Sequence, residues 1–267
     1  MRWFGTGYVT ATGYTRTMNL LTPQENPDAP VRVVCFPNAG SGAAGYRAFA
    51  PLLAPAAELT VVRLPGREAR IAEEPHRKLT ELVPRLAEEL VECLDVGTRR
   101  LAFFGHSMGA LVAFELARHL RRSGLRLPDR IIASGRPAPH VPYPPGYEFV
   151  HSLPEDRLVQ RLRGYSGTPD ELLEDPALLS MFLPTLRADF EVVETYEYQP
   201  EPPLPCAISA YGGMSDEEVP PTTVASWAEH TTGAFRLRLF DGGHFYLDES
   251  RPRVARAVLD DLRSLGA

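Results

Sequence analysis

The chain has 267 residues, 44% hydrophobic and 23% charged, with 28 basic against 34 acidic side chains and a net charge of −6. These proportions exclude a disordered, collagen-like or coiled-coil chain, and the negative charge gives no general attraction to nucleic acid. With no apolar run near the roughly 18 residues that cross a bilayer, and no leader followed by a small-residue cleavage site, a cytoplasmic protein without membrane contact is expected.

Residues 1–17, Met1 to Thr17, are rich in Gly and Thr and read as a variable extension or an early edge strand. From Val31 onward, short β-branched runs alternate with helical segments, the pattern of a parallel sheet covered by helices. Strands are predicted at Val31–Phe36, Leu59–Leu64, Leu101–Phe104, Arg130–Ser134, Cys206–Tyr211 and Phe235–Phe240. Helices are predicted near Ala43–Leu53, Thr80–Leu94, Ser107–Arg122, Thr222–Glu229 and Pro252–Leu265, with Gly124 stopping the third. The three cysteines, Cys35, Cys93 and Cys206, lack CxxC spacing and read as small buried apolar residues.

One connection breaks the rhythm. About seventy residues separate the strand ending at Ser134 from the one starting at Cys206, far more than one crossover helix needs. Residues 140–200 are therefore predicted to be an insertion within a single α/β domain. Leu178, Leu179, Phe182, Leu183, Leu186, Phe190 and Val193 recur there at helical spacing, with Pro184 expected to kink or split the helix. Such a helix packs on the core or covers a site as a lid, with Gln199–Pro205 as its exit linker.

Gly105-His106-Ser107-Met108-Gly109 fits G-x-S-x-G. Alone the pentamer is weak evidence. Here a strand precedes it and a helix follows it, so Ser107 falls on a sharp strand-to-helix turn where a hydroxyl is lifted clear of the sheet. A serine needs a base, and the base needs an orienting acid. Of seven histidines, His244 alone follows a strand and precedes a helix at the same sheet edge as Ser107. Asp216 follows the Cys206–Tyr211 strand at that edge, with Glu217 and Glu218 beside it. The predicted catalytic set is Ser107, His244 and Asp216, with the backbone N–H groups of Met108 and Ala39 forming an oxyanion hole. No metal or organic cofactor is called for by such a set.

A rival pattern lies in the loop after the first core strand. Gly40, Gly42 and Gly45 spell G-x-G-x-x-G, which would cradle a pyrophosphate, with Arg63 placed to meet an NADP phosphate. Pro37-Asn38-Ala39 intervenes between strand and glycines, and this reading leaves Ser107, Asp216 and His244 unexplained.

The segments Phe36-Pro37-Asn38-Ala39-Gly40, Arg63-Leu64-Pro65-Gly66-Arg67-Glu68, Gly105-His106-Ser107-Met108-Gly109, Leu186-Arg187-Ala188-Asp189-Phe190 and Gly242-Gly243-His244-Phe245 stand in this order. Between about Val31 and Leu262 the chain resembles the type II thioesterases that accompany polyketide and nonribosomal peptide synthases. The resemblance implies an α/β-hydrolase fold with a mostly parallel sheet, flanking helices and a helical lid. It also implies hydrolysis of stalled acyl groups from the phosphopantetheine arm of an acyl or peptidyl carrier protein, the one partner expected. A carboxylesterase or lipase acting on free esters is the alternative use of the same residues. Arg187, Asp189 and the Arg63–Glu68 segment are expected to be structural.

Overall fold

The computed structural model describes residues 19–94, 97–164 and 170–264, so the extension predicted at residues 1–17 lies outside the described residues. The strands are β1 (Leu20–Leu21), β2 (Val31–Phe36), β3 (Ala57–Val62), β4 (Arg100–His106), β5 (Arg130–Ser134), β6 (Ala207–Gly213) and β7 (Phe235–Phe240). They form one sheet in the order β1-β3-β2-β4-β5-β6-β7, in which only the β1 pairing is antiparallel. The helices are α1 (Ala50–Leu53), α2 (Leu79–Leu94), α3 (Met108–Arg122), α4 (Glu155–Gly164), α5 (Asp170–Glu174), α6 (Pro176–Glu194), α7 (Pro221–Ala225), α8 (Tyr246–Glu249) and α9 (Arg251–Arg263). This is the parallel sheet covered by helices that the sequence pattern implies, in the α/β-hydrolase arrangement that the resemblance implies.

Strand side chains alternate between two faces, and that alternation divides the core. Val34, Phe36, Phe103, Ile131 and Ile208 pack with α2 and α3, whereas Val33, Cys35, Val61, Phe104 and Ile132 pack with α1 and α9. Because both faces are covered, the central strands read as continuous apolar runs. After β2 the chain moves to β3 on one side, and after β4 it moves to β5 on the other. The carboxyl ends of β2 and β4 therefore border the crevice where parallel sheets bind ligands.

The helix ends follow local chemistry. Gly124 (φ +66°) ends α3, and the Leu125 N–H reaches the Leu120 carbonyl at 2.9 Å, the closing bond of a Schellman cap. At α6 the Asp175 carboxylate accepts from Ala177 N at 2.8 Å and Leu178 N at 3.2 Å, and Pro176 occupies the first turn.

Several boundaries differ from expectation. β3 starts two residues early because Glu58 pairs with Arg32, its neighbour in the β2 register, at 2.7 Å. The Ala43–Leu53 and Thr222–Glu229 predictions each resolve into a 3-10 turn joined to a short α-helix. Pro184 does not split α6, which runs unbroken from Pro176 to Glu194. The lost backbone bond is offset by packing, for Leu183, Thr185 and Leu186 are buried, whereas Leu178, expected on that apolar face, is 49% exposed. The insertion carries a small core of its own, built from Val150, Leu158, Leu162, Leu173, Leu183 and Leu186. All three cysteines are buried and unpaired, and burial pushes the Cys206 thiol up to about 12. No described helix is long and apolar enough to cross a membrane.

Where the insertion leaves β5, His140 Nδ1 and His230 Nε2 share a hydrogen bond of 2.7 Å. Burial, then His140 and Arg118, hold His230 down at about 4, below the usual 6.5. Between these values the unfolded chain binds the proton and the folded chain does not, so stability present above pH 6.5 is lost as pH falls toward 4. The expected loss is up to roughly 3 kcal/mol. Urea midpoints measured from pH 7.5 to 4.5 should fall less steeply for His230→Phe than for the native chain. Parallel curves would show that this pair does not set the acid limit.

Candidate active site

The Ser107 turn is built by glycines. An added Cβ on Gly105 would overlap the Gly109 backbone, and one on Gly109 would overlap the Phe36 carbonyl oxygen. Only bare α-carbons let β4 turn into α3 while α3 presses on the end of β2. Ser107 itself sits at φ +52°, ψ −114°, a conformation that costs a non-glycine residue about 1–3 kcal/mol. Its N–H donates to the Ser134 carbonyl at 2.8 Å, so β5 holds the strained residue in place. Met108 opens α3, and its N–H, like the others of the first helical turn, has no acceptor within its own helix.

Asp216 and His244 stand on the loops that follow β6 and β7. His244 Nδ1 and Asp216 Oδ2 are 2.8 Å apart, while Asp216 Oδ1 accepts from the amides of Glu218 and Val219 at 3.0 Å each. The carboxylate is thus oriented by its own loop and presents one oxygen to the imidazole. The two loops are also bound to each other, through Met214 N to Phe240 O at 2.8 Å and Ser215 N to Gly242 O at 3.0 Å. A side chain on Gly213 would strike the carbonyls of Gly242 and Gly243, so the loops carrying Asp216 and His244 touch at backbone distance.

Ser107, His244 and Ala39 line one cavity of about 510 Å³. Its walls are mainly apolar, supplied by Pro137, Val141, Tyr143, Val193 and Val219. Phe190 and Val193 come from α6, so the insertion forms one side of the cavity. Glu217 and Glu218 reach it too, but the hydrogen bond to His244 belongs to Asp216. No described cluster of His, Cys, Asp or Glu has the makeup of a metal site.

Beneath His244 lies a layer that sequence reasoning missed. His106 is fully buried, its Nδ1 lies 2.9 Å from Ser134 Oγ, and its ring centre is 5.1 Å from that of His244. Burial, reinforced by His244, pushes His106 well below the usual histidine range, so it packs as a neutral ring. Tyr246 hydrogen-bonds the same Ser134 hydroxyl. A buried residue next to Ser107 carries no periodic signal that would separate support from core.

The glycine loop after β2 does not form a phosphate cradle. The Gly40 N–H donates to Asp189 Oδ2 at 2.8 Å and the Ala44 N–H to Glu68 Oε1 at 2.8 Å, so carboxylates occupy the amides that a pyrophosphate would need. Arg63 faces Glu68 at 3.9 Å. Arg67 meets Asp189 in a two-pronged ion pair, Nη1 to Oδ2 at 2.7 Å and Nη2 to Oδ1 at 2.6 Å, and donates to the Ser41 carbonyl at 3.1 Å. Arg187 donates to the His151 carbonyl at 3.0 Å. Asn38, Ala39's neighbour, accepts from the Tyr46 hydroxyl at 2.8 Å.

Residues 31–262 match the family model described as a thioesterase domain. Thioesterase PikA5 of Streptomyces venezuelae is 40% identical over 88% of this chain and 82% of its own. The protein named linear gramicidin dehydrogenase LgrE, from Brevibacillus parabrevis, is 39% identical over 92% of each chain. The type II thioesterase BorB from the borrelidin biosynthetic cluster superposes with a TM-score of 0.81 at 37% identity, covering 91% of this chain and 97% of its own. The motifs at the sheet's carboxyl edge and these likenesses over nearly the full described length agree: the chain belongs to the thioesterase family, beside the type II thioesterases of polyketide and nonribosomal peptide biosynthesis.

Proposed function

We propose that the protein hydrolyses acyl thioesters on the phosphopantetheine arm of an acyl or peptidyl carrier protein, clearing stalled or aberrant groups, with Ser107, His244 and Asp216 as its catalytic residues. The observation that carries this reading is the His244–Asp216 hydrogen bond at the same cavity as Ser107, which occupies a strained strand-to-helix turn.

The chemistry follows from those groups. Ser107 Oγ attacks the thioester carbonyl as its proton passes to His244 Nε2, and the amides of Ala39 and Met108 receive the negative charge on oxygen. Asp216 fixes the imidazole tautomer with the proton on Nδ1 and stabilises the imidazolium. As the tetrahedral intermediate collapses, the C–S bond breaks, and the imidazolium gives its proton to the departing thiolate. Neutral His244 then activates water against the acyl-serine. A thiol with a pKa near roughly 8.5 leaves readily, and a thioester carbonyl has little resonance to lose, so this set needs no further electrophile.

The apolar cavity suits an acyl chain, and the α4–α6 segment acts as a lid over it. The dehydrogenase name of one relative suggests hydride chemistry, but the Asp189 and Glu68 carboxylates that accept from the amides of the glycine loop argue against a dinucleotide here. The test compares release of short acyl groups from a holo carrier protein with hydrolysis of the matching p-nitrophenyl ester. A higher kcat/KM on the carrier is expected. Equal or faster turnover of the free ester would make the protein a carboxylesterase instead.

A further inference from the structure

We infer that Asp189 and Arg67 are positioning residues for the oxyanion hole, through which helix α6 sets the geometry of the loop that carries Ala39. The inference rests on the reading of Ser107 as nucleophile and Ala39 N–H as oxyanion donor.

Residues Asn38 to Ser41 form a tight turn, closed by the Ser41 N–H on the Asn38 carbonyl at 3.1 Å, with Gly40 at φ +73° in its third position. That turn follows the type II pattern, in which the central peptide can rotate unless something holds it. Four contacts hold it, the first from the Asn38 side-chain amide, which donates to the Ala39 carbonyl at 3.3 Å. The Asn38 N–H meets Tyr46 Oη at 3.3 Å, the Gly40 N–H meets Asp189 Oδ2 at 2.8 Å, and the Ser41 carbonyl meets Arg67 Nη1 at 3.1 Å. Two of the four come from the Arg67–Asp189 pair, and both residues are buried, at 8% and 3% exposure. Gly40 is also pressed against the α6 residues Phe182 and Leu186.

Asp189 therefore ties the peptide following Ala39 directly to α6, while Arg67 does two jobs. It orients the Asp189 carboxylate with two parallel bonds, and it cancels a negative charge that would otherwise oppose the developing oxyanion nearby. Donors that stabilise a transition state must be aimed before the reaction, because reorganising them during it costs rate. The same linkage makes the site responsive to the insertion. A shift of α6 moves the oxyanion loop, so closure over an acyl chain and assembly of the hole become one event.

The test uses the full-length enzyme with a carrier-bound acyl thioester and an alkyl trifluoromethyl ketone, which takes up the Ser107 oxygen and leaves an oxyanion in the hole. Asp189→Asn keeps the shape but sets an NH2 group against either Gly40 or Arg67. Its kcat is expected to fall about 10- to 100-fold, with KM within about twofold. The Ki of the ketone should rise by the factor that kcat/KM falls. Arg67→Lys, which retains charge and the Asp189–Gly40 bond, should lose less than about tenfold. Should Asp189→Asn not fold, the apolar pair Arg67→Met/Asp189→Leu removes both buried charges together. It is expected to fold, yet to keep a low kcat and weak ketone binding, because the Gly40 N–H stays unheld.

A folded variant of Asp189 with native kcat, or one whose loss lies in KM with an unchanged ketone Ki, overturns the inference. The underlying reading fails separately, if Ser107→Ala retains native turnover.

Discussion

Ser107→Ala is expected to lower kcat for a carrier-bound thioester by about 10⁴-fold or more, with KM changed by less than about threefold. The hydroxyl adds little to binding in an apolar cavity, but in the proposed mechanism its oxygen forms the acyl-enzyme. Asp216→Asn should cost about 10³- to 10⁴-fold, because the amides of Glu218 and Val219 already claim one oxygen and force the new NH2 group toward His244 Nδ1. That arrangement favours the wrong imidazole tautomer. Residues that act as one unit are not additive, so the double variant should be no slower than Ser107→Ala alone. Single-turnover acyl release measures both. A Ser107→Ala enzyme within tenfold of native, or a double variant far slower than either single one, would show that these residues do not work as a relay.

Gly109→Ala is expected to destabilise the fold by at least about 3 kcal/mol, although it is a one-carbon change in a helix, where alanine is normally preferred. The new methyl would land on the Phe36 carbonyl oxygen, and neither partner is a flexible side chain. Relief requires α3 to back away from β2. That movement separates Met108 from Ala39, so any folded fraction should also lose kcat. Urea denaturation with a parallel rate measurement tests both effects. A native midpoint with native turnover would mean that α3 can slide outward without harm.

Much of the carboxyl edge was legible in the sequence because turn chemistry is local. Glycines around Ser107, Gly213 at the end of β6 and the Gly242-Gly243 pair after β7 mark where backbone must pass close to backbone. What eluded sequence reading is held together across the chain. Arg67 and Asp189 are 122 residues apart, and although the segments that hold them are expected to be structural, nothing local in either one pairs them. Glu58 lies before the Leu59–Leu64 strand expected from the sequence, and its ion pair with Arg32 in the neighbouring strand lets β3 begin earlier. Leu64, the last residue of that expected strand, is buried as an apolar residue should be, but in the loop after β3. Pro184 was expected to interrupt α6 by its missing N–H, and packing on both sides overrides that loss. Hydrophobicity marks burial, and hydrogen-bond register decides where an element stops.

The loops from β6 and β7 that carry Asp216 and His244 are stitched to each other, and they lie at the late end of the chain. During synthesis on the ribosome Ser107 and the Ala39 and Met108 amides proposed for the oxyanion hole emerge before His244, which follows 137 residues after the serine. A growing chain would therefore hold a strained alcohol with nothing to draw off its proton. Reactivity toward the host's own thioesters would switch on only when the final strand zips into the edge of the sheet.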